Sequence, residues 1–308
     1  MPPDVPLRQF VVTFPYELRG RLRFDAKLLS AASAMVVDCV LSFYERRMRD
    51  VIGPLARITI AEPSQEPADG AGDSHAPSNV QRLKTLKTRR RKLQSGTVTA
   101  VQRVNSDFKL NPHLHIIALD GVFVEQLDGA PPEFRQLPHL TSSEVADLVT
   151  TIRIRVLALL TRRGVIEDST DQLVLLPDER AEDEPVLAQV TADDATGLPP
   201  AGPERRQREP LRLARTPGAT ISGPLCANDM GFTLHAATIA PRNDPRAKEA
   251  LLRYILRPPL AQERVTLAAD DAVRLGLKRA FSDGTVAVEQ VALDLETVEG
   301  ASQAQLRH

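Results

Sequence analysis

The chain has 308 residues, 42% of them hydrophobic, with 39 Lys and Arg against 40 Asp and Glu. Such a length and apolar content support a sizeable core in one large or two modest domains, and exclude a disordered or fibrous polymer. The near-cancellation of charge excludes nucleic-acid binding through the field of the whole molecule, so a DNA partner requires a local basic patch.

Two cysteines, Cys39 and Cys226, stand far apart. They make neither a Cys-x-x-Cys zinc module nor a disulfide framework, and the expectation is a reduced, cytoplasmic setting. The apolar stretch Leu28 to Phe43 is interrupted by Asp38 and reads as too short to span a bilayer. With no charged region leading into an apolar core at the N-terminus, no membrane partner is expected.

The first element is a β-type run, Gln9 to Phe14, ended by Pro15. A helix is expected from about Asp25 to Asp50, because Leu28, Leu29, Ala32, Met35, Val36, Cys39, Val40 and Phe43 recur at helical spacing. The residues from 61 to 80 are rich in Pro, Ala, Ser, Gly, Asp and Glu without apolar periodicity, and read as a flexible insertion. Next comes the densest basic run, Gln81 to Lys92. It is either a solvated face or a phosphate-binding strap through Lys84, Lys87, Arg89, Arg90, Arg91 and Lys92. That strap feeds the strand candidate Ser95 to Val104, and the polar loop Asn105-Ser106-Asp107 leads on to the most informative stretch of the chain.

In Asn111-Pro112-His113-Leu114-His115-Ile116-Ile117-Ala118-Leu119-Asp120-Gly121 two histidines flank one leucine at the head of an apolar run that reads as a buried strand. Strand side chains alternate faces, so both imidazoles point the same way. They form either a satisfied core pair or a two-point grip for a divalent cation. Antiparallel pairing with the preceding strand brings Gln102 or Arg103 near them, depending on register. Asp120-Gly121 offers a turn into Val122-Phe123-Val124.

A scaffold helix is predicted from Ser142 to Arg162, striped by Val145, Leu148, Val149, Ile152, Val156, Leu159 and Leu160. The chain from Leu176 to Pro224 turns acidic and then Pro- and Arg-rich, and reads as a linker or surface excursion. Another strand candidate, Phe232 to Ile239, carries His235, a core histidine or a ligand. A helix follows with Asp244 as N-cap, Pro245 at its first position and Pro258-Pro259 as its stop. Leu252, Ile255 and Leu256 are its expected buried stripe, with Ala250, Tyr254 and Arg257 on another face. Tyr254 is either an amphipathic tyrosine at a core boundary or, flanked by Arg253 and Arg257, a hydroxyl presented to a phosphate. A last hairpin runs from Arg274 to Leu293, and residues 294–308 read as a disordered tail.

The elements predict an α+β fold in which a central antiparallel sheet carries the His-x-His strand and helices pack on it. One domain is expected over residues 5–293, interrupted by flexible segments at 61–80 and 177–224.

Taken together, Phe10 to Tyr16, Thr97 to Arg103, the His113-Leu114-His115 strand through Val122, and Leu252-Arg253-Tyr254-Ile255-Leu256-Arg257-Pro258-Pro259 resemble the rolling-circle transposases of the insertion-sequence-ninety-one type. These belong to the His-hydrophobic-His (HUH) single-strand endonucleases, and the resemblance spans Arg8 to Ala280. It implies metal-assisted transesterification on single-stranded DNA at mobile-element ends, with no small-molecule substrate. His113 and His115 would hold Mg²⁺ or Mn²⁺ against the scissile phosphate, with His235 and Gln102 as candidates for the further ligand. Tyr254 would attack phosphorus, and Arg103, Arg253, Arg257 and the basic strap would hold DNA. Ala250 stands where two-tyrosine members carry their second tyrosine, so the chain resembles the single-tyrosine branch. The relatives' cysteine-rich zinc segment is missing, and the expectation is a truncated copy. The alternatives are a non-catalytic remnant that only binds DNA, and a small-molecule metallohydrolase using His113 and His115.

Overall fold

A computed structural model describes residues 4–61, 86–104, 110–126, 130–169, 172–176, 212–214, 218–256, 265–267, 272–276 and 287–291. Its central feature is an antiparallel seven-stranded sheet. In chain order the strands are β1 (Leu7–Thr13), β5 (Thr97–Val104), β6 (Leu110–Leu119), β12 (Thr220–Gly223), β13 (Cys226–Asp229), β14 (Phe232–His235) and β15 (Ile239–Ala240). Their spatial order is β12-β13-β14-β1-β6-β5, with β15 pairing the start of β1. The fold is α+β, as the alternation of strand and helix patterns predicts.

One face of this sheet holds the main core. Phe10 and Val12 of β1, Leu114, Ile116 and Ala118 of β6, and Phe232 and Leu234 of β14 point into it. Against them pack α1 (Tyr16–Phe24), α2 (Ala26–Ile52) and α3 (Ser142–Arg162). Asp25 caps α2 by accepting a bond from the Leu28 amide, and Thr141 with Glu144 closes a reciprocal capping box on α3. The apolar stripes predicted for both helices are buried, Met35 only in part. By length and composition alone the segment Ala26–Leu55 is long and apolar enough to cross a membrane, which corrects the reading of this stretch as too short. In this fold its apolar stripe covers the sheet instead.

Smaller sheets surround the main one. β2 (Arg57–Ala61) pairs with β3 (Leu86–Arg90), so part of the basic run is a strand rather than a bare strap. β4 (Leu93–Gln94), β7 (Gly121–Val124) and β8 (Glu133–Gln136) form another sheet. After Asp120 the chain therefore turns a corner into a different sheet and does not double back as a hairpin on β6. Gly121 is required there, since a Cβ would lie 2.4 Å from the Arg135 carbonyl oxygen.

β9 (Ile166–Ser169), β10 (Gln172–Leu175) and β11 (Arg212–Ala214) make a third small sheet, and β16 (Val265–Leu267), β17 (Ala272–Gly276) and β18 (Ala287–Val291) a fourth. The stretch read as a surface excursion thus supplies β11 and the sheet's edge strand β12. Residues 177–211 and 215–217 of that stretch, the insertion at 62–85 and the tail at 294–308 lie outside the described residues.

Candidate metal and nucleophile site

The opposite face of the sheet carries the histidines. Register puts His113 directly across from Thr13 on one side and Gln102 on the other, and His115 across from Val11 and Ala100. Directly paired residues share a face. Gln102 therefore stands on the histidine face, while Arg103 falls where the register shifts between Gln102 and Val104, has no direct partner on β6, and is exposed. The two imidazoles meet edge to face, their centroids 4.9 Å apart.

Each ring is held from behind. Nδ1–H of His113 donates to the Asn111 carbonyl at 2.6 Å, so the neutral ring has its lone pair on Nε2. Nδ1 of His115 lies 2.8 Å from the Gln9 amide nitrogen. Turning the Gln9 amide over, which leaves its shape unchanged, puts Oε1 there as an acceptor and frees Nε2 of His115 as a lone pair. That Nε2 is buried without a hydrogen-bond partner among the described residues, as is Oδ1 of Asn111. An orphaned imidazole nitrogen and an orphaned amide oxygen beside a second imidazole fit the nitrogen and oxygen donors of a divalent cation.

Burial disfavours the imidazolium and pushes His115 down to about 4, with the neighbouring His113 acting in the same direction. Burial also lowers His113; the bond to Asn111 opposes this, and the nearby Arg19 guanidinium reinforces it. Both rings are neutral near pH 7, which is the form that ligates metal.

A helix covers part of this face. α4 (Pro245–Leu256) starts where Asp244 accepts from the Ala247 amide at 2.9 Å. Leu251 and Ile255, one turn apart, join Val5 and Leu7 at β1, Ile117 of β6 and Ala240 in a second apolar cluster. Ile117 shares the histidine face two residues beyond His115, so seating Ile255 there carries its neighbour Tyr254 to the histidines. The Tyr254 ring meets the His115 ring at 5.6 Å between centroids, near perpendicular, while remaining 54% exposed. The buried stripe differs from the predicted one. Leu251 and Ile255 are buried, Leu252 only partly, and Leu256 is exposed. Lys248 is buried too, its Nζ donating to the Arg242 carbonyl at 2.6 Å. The buried stripe is Lys248, Leu251 and Ile255, out of phase with the expected one because a lysine takes an inward position.

The other candidates are more scattered. His235 stands two strands from His115, with Val11 between them, and is exposed. Among the described residues no three of His, Cys, Asp and Glu gather as a metal-binding group, so His235 does not complete the histidine pair. The basic strap enters the sheet at β4, beside the Leu119 end of β6, which is ~20 Å along the strand from His113. It does not border the histidines there.

Arg89 of the strap is held by both oxygens of Glu125, at 2.7 and 2.8 Å, and Arg91 donates to the Glu125 carbonyl. The Arg89 bond and the Lys92 amide hold the Glu125 carboxyl at about 2. Arg90 and Lys92 are exposed. Lys87 lies on β3; Lys84 and Arg257 lie outside the described residues. Arg253 is exposed and paired with Glu249 at 2.7 Å.

Sequence reasoning missed Gln9, Asn111 and Arg19. The alternation of Gln9, Val11 and Thr13 against Phe10 and Val12 was the available sign that β1 shows a polar row on one face. The burial of Arg8 had no such sign. Its guanidinium makes two bonds to Asp120, which also accepts from the Tyr44 hydroxyl, and a third to the Ala236 carbonyl. This network ties β1, the end of β6, α2 and the exit of β14 together.

The site is thus two buried imidazoles on one face of the sheet of an α+β protein, with a phenol against one of them. The family described as "Putative transposase" matches residues 96–297, well over half of the chain, including the histidine strand and the tyrosine helix. The chain belongs to that transposase family, which makes it a DNA-processing protein. No curated protein and no solved structure matches it.

Proposed function

We propose that the protein cuts and joins single-stranded DNA by transesterification, with Tyr254 as nucleophile and His113 and His115 as ligands of Mg²⁺ or Mn²⁺. The 5.6 Å approach of the Tyr254 ring to His115, across more than a hundred residues of chain, is the observation that carries this reading. The docking of Leu251 and Ile255 delivers the phenol beside the histidine pair. Its exposure leaves room for a DNA strand.

In this mechanism the Tyr254 oxygen attacks phosphorus in line, its proton leaving to solvent, and a tyrosine–5′-phosphate bond forms as the bond to the 3′ oxygen breaks. The leaving oxygen takes a proton and becomes a 3′-hydroxyl. The phosphodiester energy is conserved in the protein link, so a second strand's hydroxyl can reverse the step without ATP. Bound between the rings, the cation would polarise a non-bridging oxygen of the scissile phosphate. The amide oxygens of Gln102, across from His113, and Asn111, beside it, are the nearest candidates to add to the ligand set. Gln9 and the Asn111 carbonyl hold the rings with Nε2 forward.

The test is covalent capture. Purified protein with Mn²⁺ and a labelled random-sequence single-stranded oligonucleotide pool should yield a denaturation-resistant adduct. Tyr254→Phe should abolish it, and His113→Ala with His115→Ala should do the same. An adduct that survives in Tyr254→Phe, or none from the wild type, overturns the proposal.

A further inference from the structure

At the end of β1 that pairs with His113 stands a cation that the reading above does not use. Arg19 lies on α1, which follows β1 after the two residues Phe14 and Pro15. The helix packs against β6, with Leu18 and Leu22 buried in the main core and Arg19 half-buried beside them. Nε of Arg19 donates to the Phe14 carbonyl at 3.3 Å. Phe14 directly follows Thr13, the register partner of His113. The guanidinium is thereby tethered at the end of β1 where Thr13 pairs with His113. Among the described residues Glu17 acts on it through its charge without forming an ion pair, and only its Nε makes a hydrogen bond. The two outer nitrogens of the fork remain available.

We propose that Arg19 is a phosphate contact of the cutting site, its fork gripping the DNA backbone phosphate that lies against His113. A partly desolvated guanidinium whose outer nitrogens make no ion pair among the described residues suits a phosphate, because the planar fork matches two phosphate oxygens at once. Its position at the head of the histidine strand places that grip where negative charge builds during transfer. This rests on the strand-cutting reading for the identity of the phosphate. The basic strap is a separate matter, since it enters the sheet at the other end of β6 and its Arg89 is already held by Glu125.

The test uses full-length protein carrying Arg19→Gln or Arg19→Lys, with Arg23→Gln as an exposed control on the same helix. Binding of a labelled single-stranded oligonucleotide is measured over a salt series in the Tyr254→Phe background. Arg19→Gln should flatten the dependence of log K on log salt by about 0.7, the loss of one phosphate contact on a single strand. Arg19→Lys should keep the slope. In the Tyr254 protein, Arg19→Gln should slow adduct formation by roughly 10²-fold, with partial recovery in Arg19→Lys.

Slope and rate in both Arg19 variants equal to those of Arg23→Gln overturn the proposal. Should the wild type form no adduct, strand cutting fails, while the salt slopes still decide whether Arg19 touches phosphate. Far-ultraviolet circular dichroism and melting curves verify folding. If Arg19→Gln does not fold, Arg19→Lys decides: a rate equal to the control overturns the proposal.

Discussion

The side-chain amide of Gln9 lies 2.8 Å from Nδ1 of His115, and both residues are buried. A ligand histidine whose rear nitrogen is held loses rotational freedom before the metal arrives, and outer partners of this kind are typically worth roughly 10–100-fold in metal affinity. Gln9→Leu should weaken Mn²⁺ binding by about that factor, with the Mn²⁺ requirement for adduct formation shifting in parallel. Isothermal titration calorimetry of the variant against the wild type checks this. Unchanged affinity would show that the amide serves packing alone.

The depressed affinity of His115 for protons makes stability depend on pH. The ordinary histidine value is 6.5 and the folded value about 4, so between them the unfolded chain binds a proton that the folded chain refuses. Stability from this source is fully present above pH 6.5 and drains away as pH falls towards 4, by about 3 kcal/mol at most. His113, shifted in the same direction, adds to the slope. Urea unfolding of metal-free protein from pH 8 to pH 4 should show the decline, and His115→Phe should make it shallower.

Tyr254 reaches the histidines only because Leu251 and Ile255 seat α4 on the sheet. Ile255→Ala removes buried apolar volume worth about 2–5 kcal/mol, and α4 holds few other buried anchors. Adduct formation should be lost, with fast amide exchange confined largely to α4. Leu256→Ala, at an exposed position, should change stability by less than about 0.5 kcal/mol. Protection restored to α4 in Ile255→Ala would show that other contacts hold the helix.

Asp120 neutralises the buried Arg8 and also accepts from Tyr44. Asp120→Ala leaves a buried guanidinium without its carboxylate and should cost about 3–5 kcal/mol. Tyr44→Phe removes one hydrogen bond to a charged group and should cost about 1.5–3 kcal/mol. Denaturant midpoints of the two variants order these effects. Equal losses would mean that the hydroxyl, and not the ion pair, dominates the network.

Local patterns were legible wherever a single periodicity decided the element. The stripe from Leu28 to Phe43, the stripe from Val145 to Leu160 and the cap Asp244 set α2, α3 and α4 within one or two residues, because caps and apolar spacing act within a turn or two of chain. The strand alternation around His113 and His115 likewise followed from the two-residue repeat of an extended chain. Less legible was the phase of α4, where a buried lysine occupied an inward position that composition assigns to solvent.

The sequence by itself determined that two imidazoles share a face, that a tyrosine rides a capped helix, and that sheet and helix would form separately, since each depends on neighbours in the chain. Only the tertiary structure decided that Gln102 and not Arg103 stands beside His113, that Gln9 backs His115, that His235 is two strands away, and that Tyr254 meets the pair. Those outcomes depend on strand order, register and the seating of Ile255 near Ile117, which balance contacts between residues as much as two hundred positions apart. No local periodicity encodes such a balance, because register follows from the packing of the whole core.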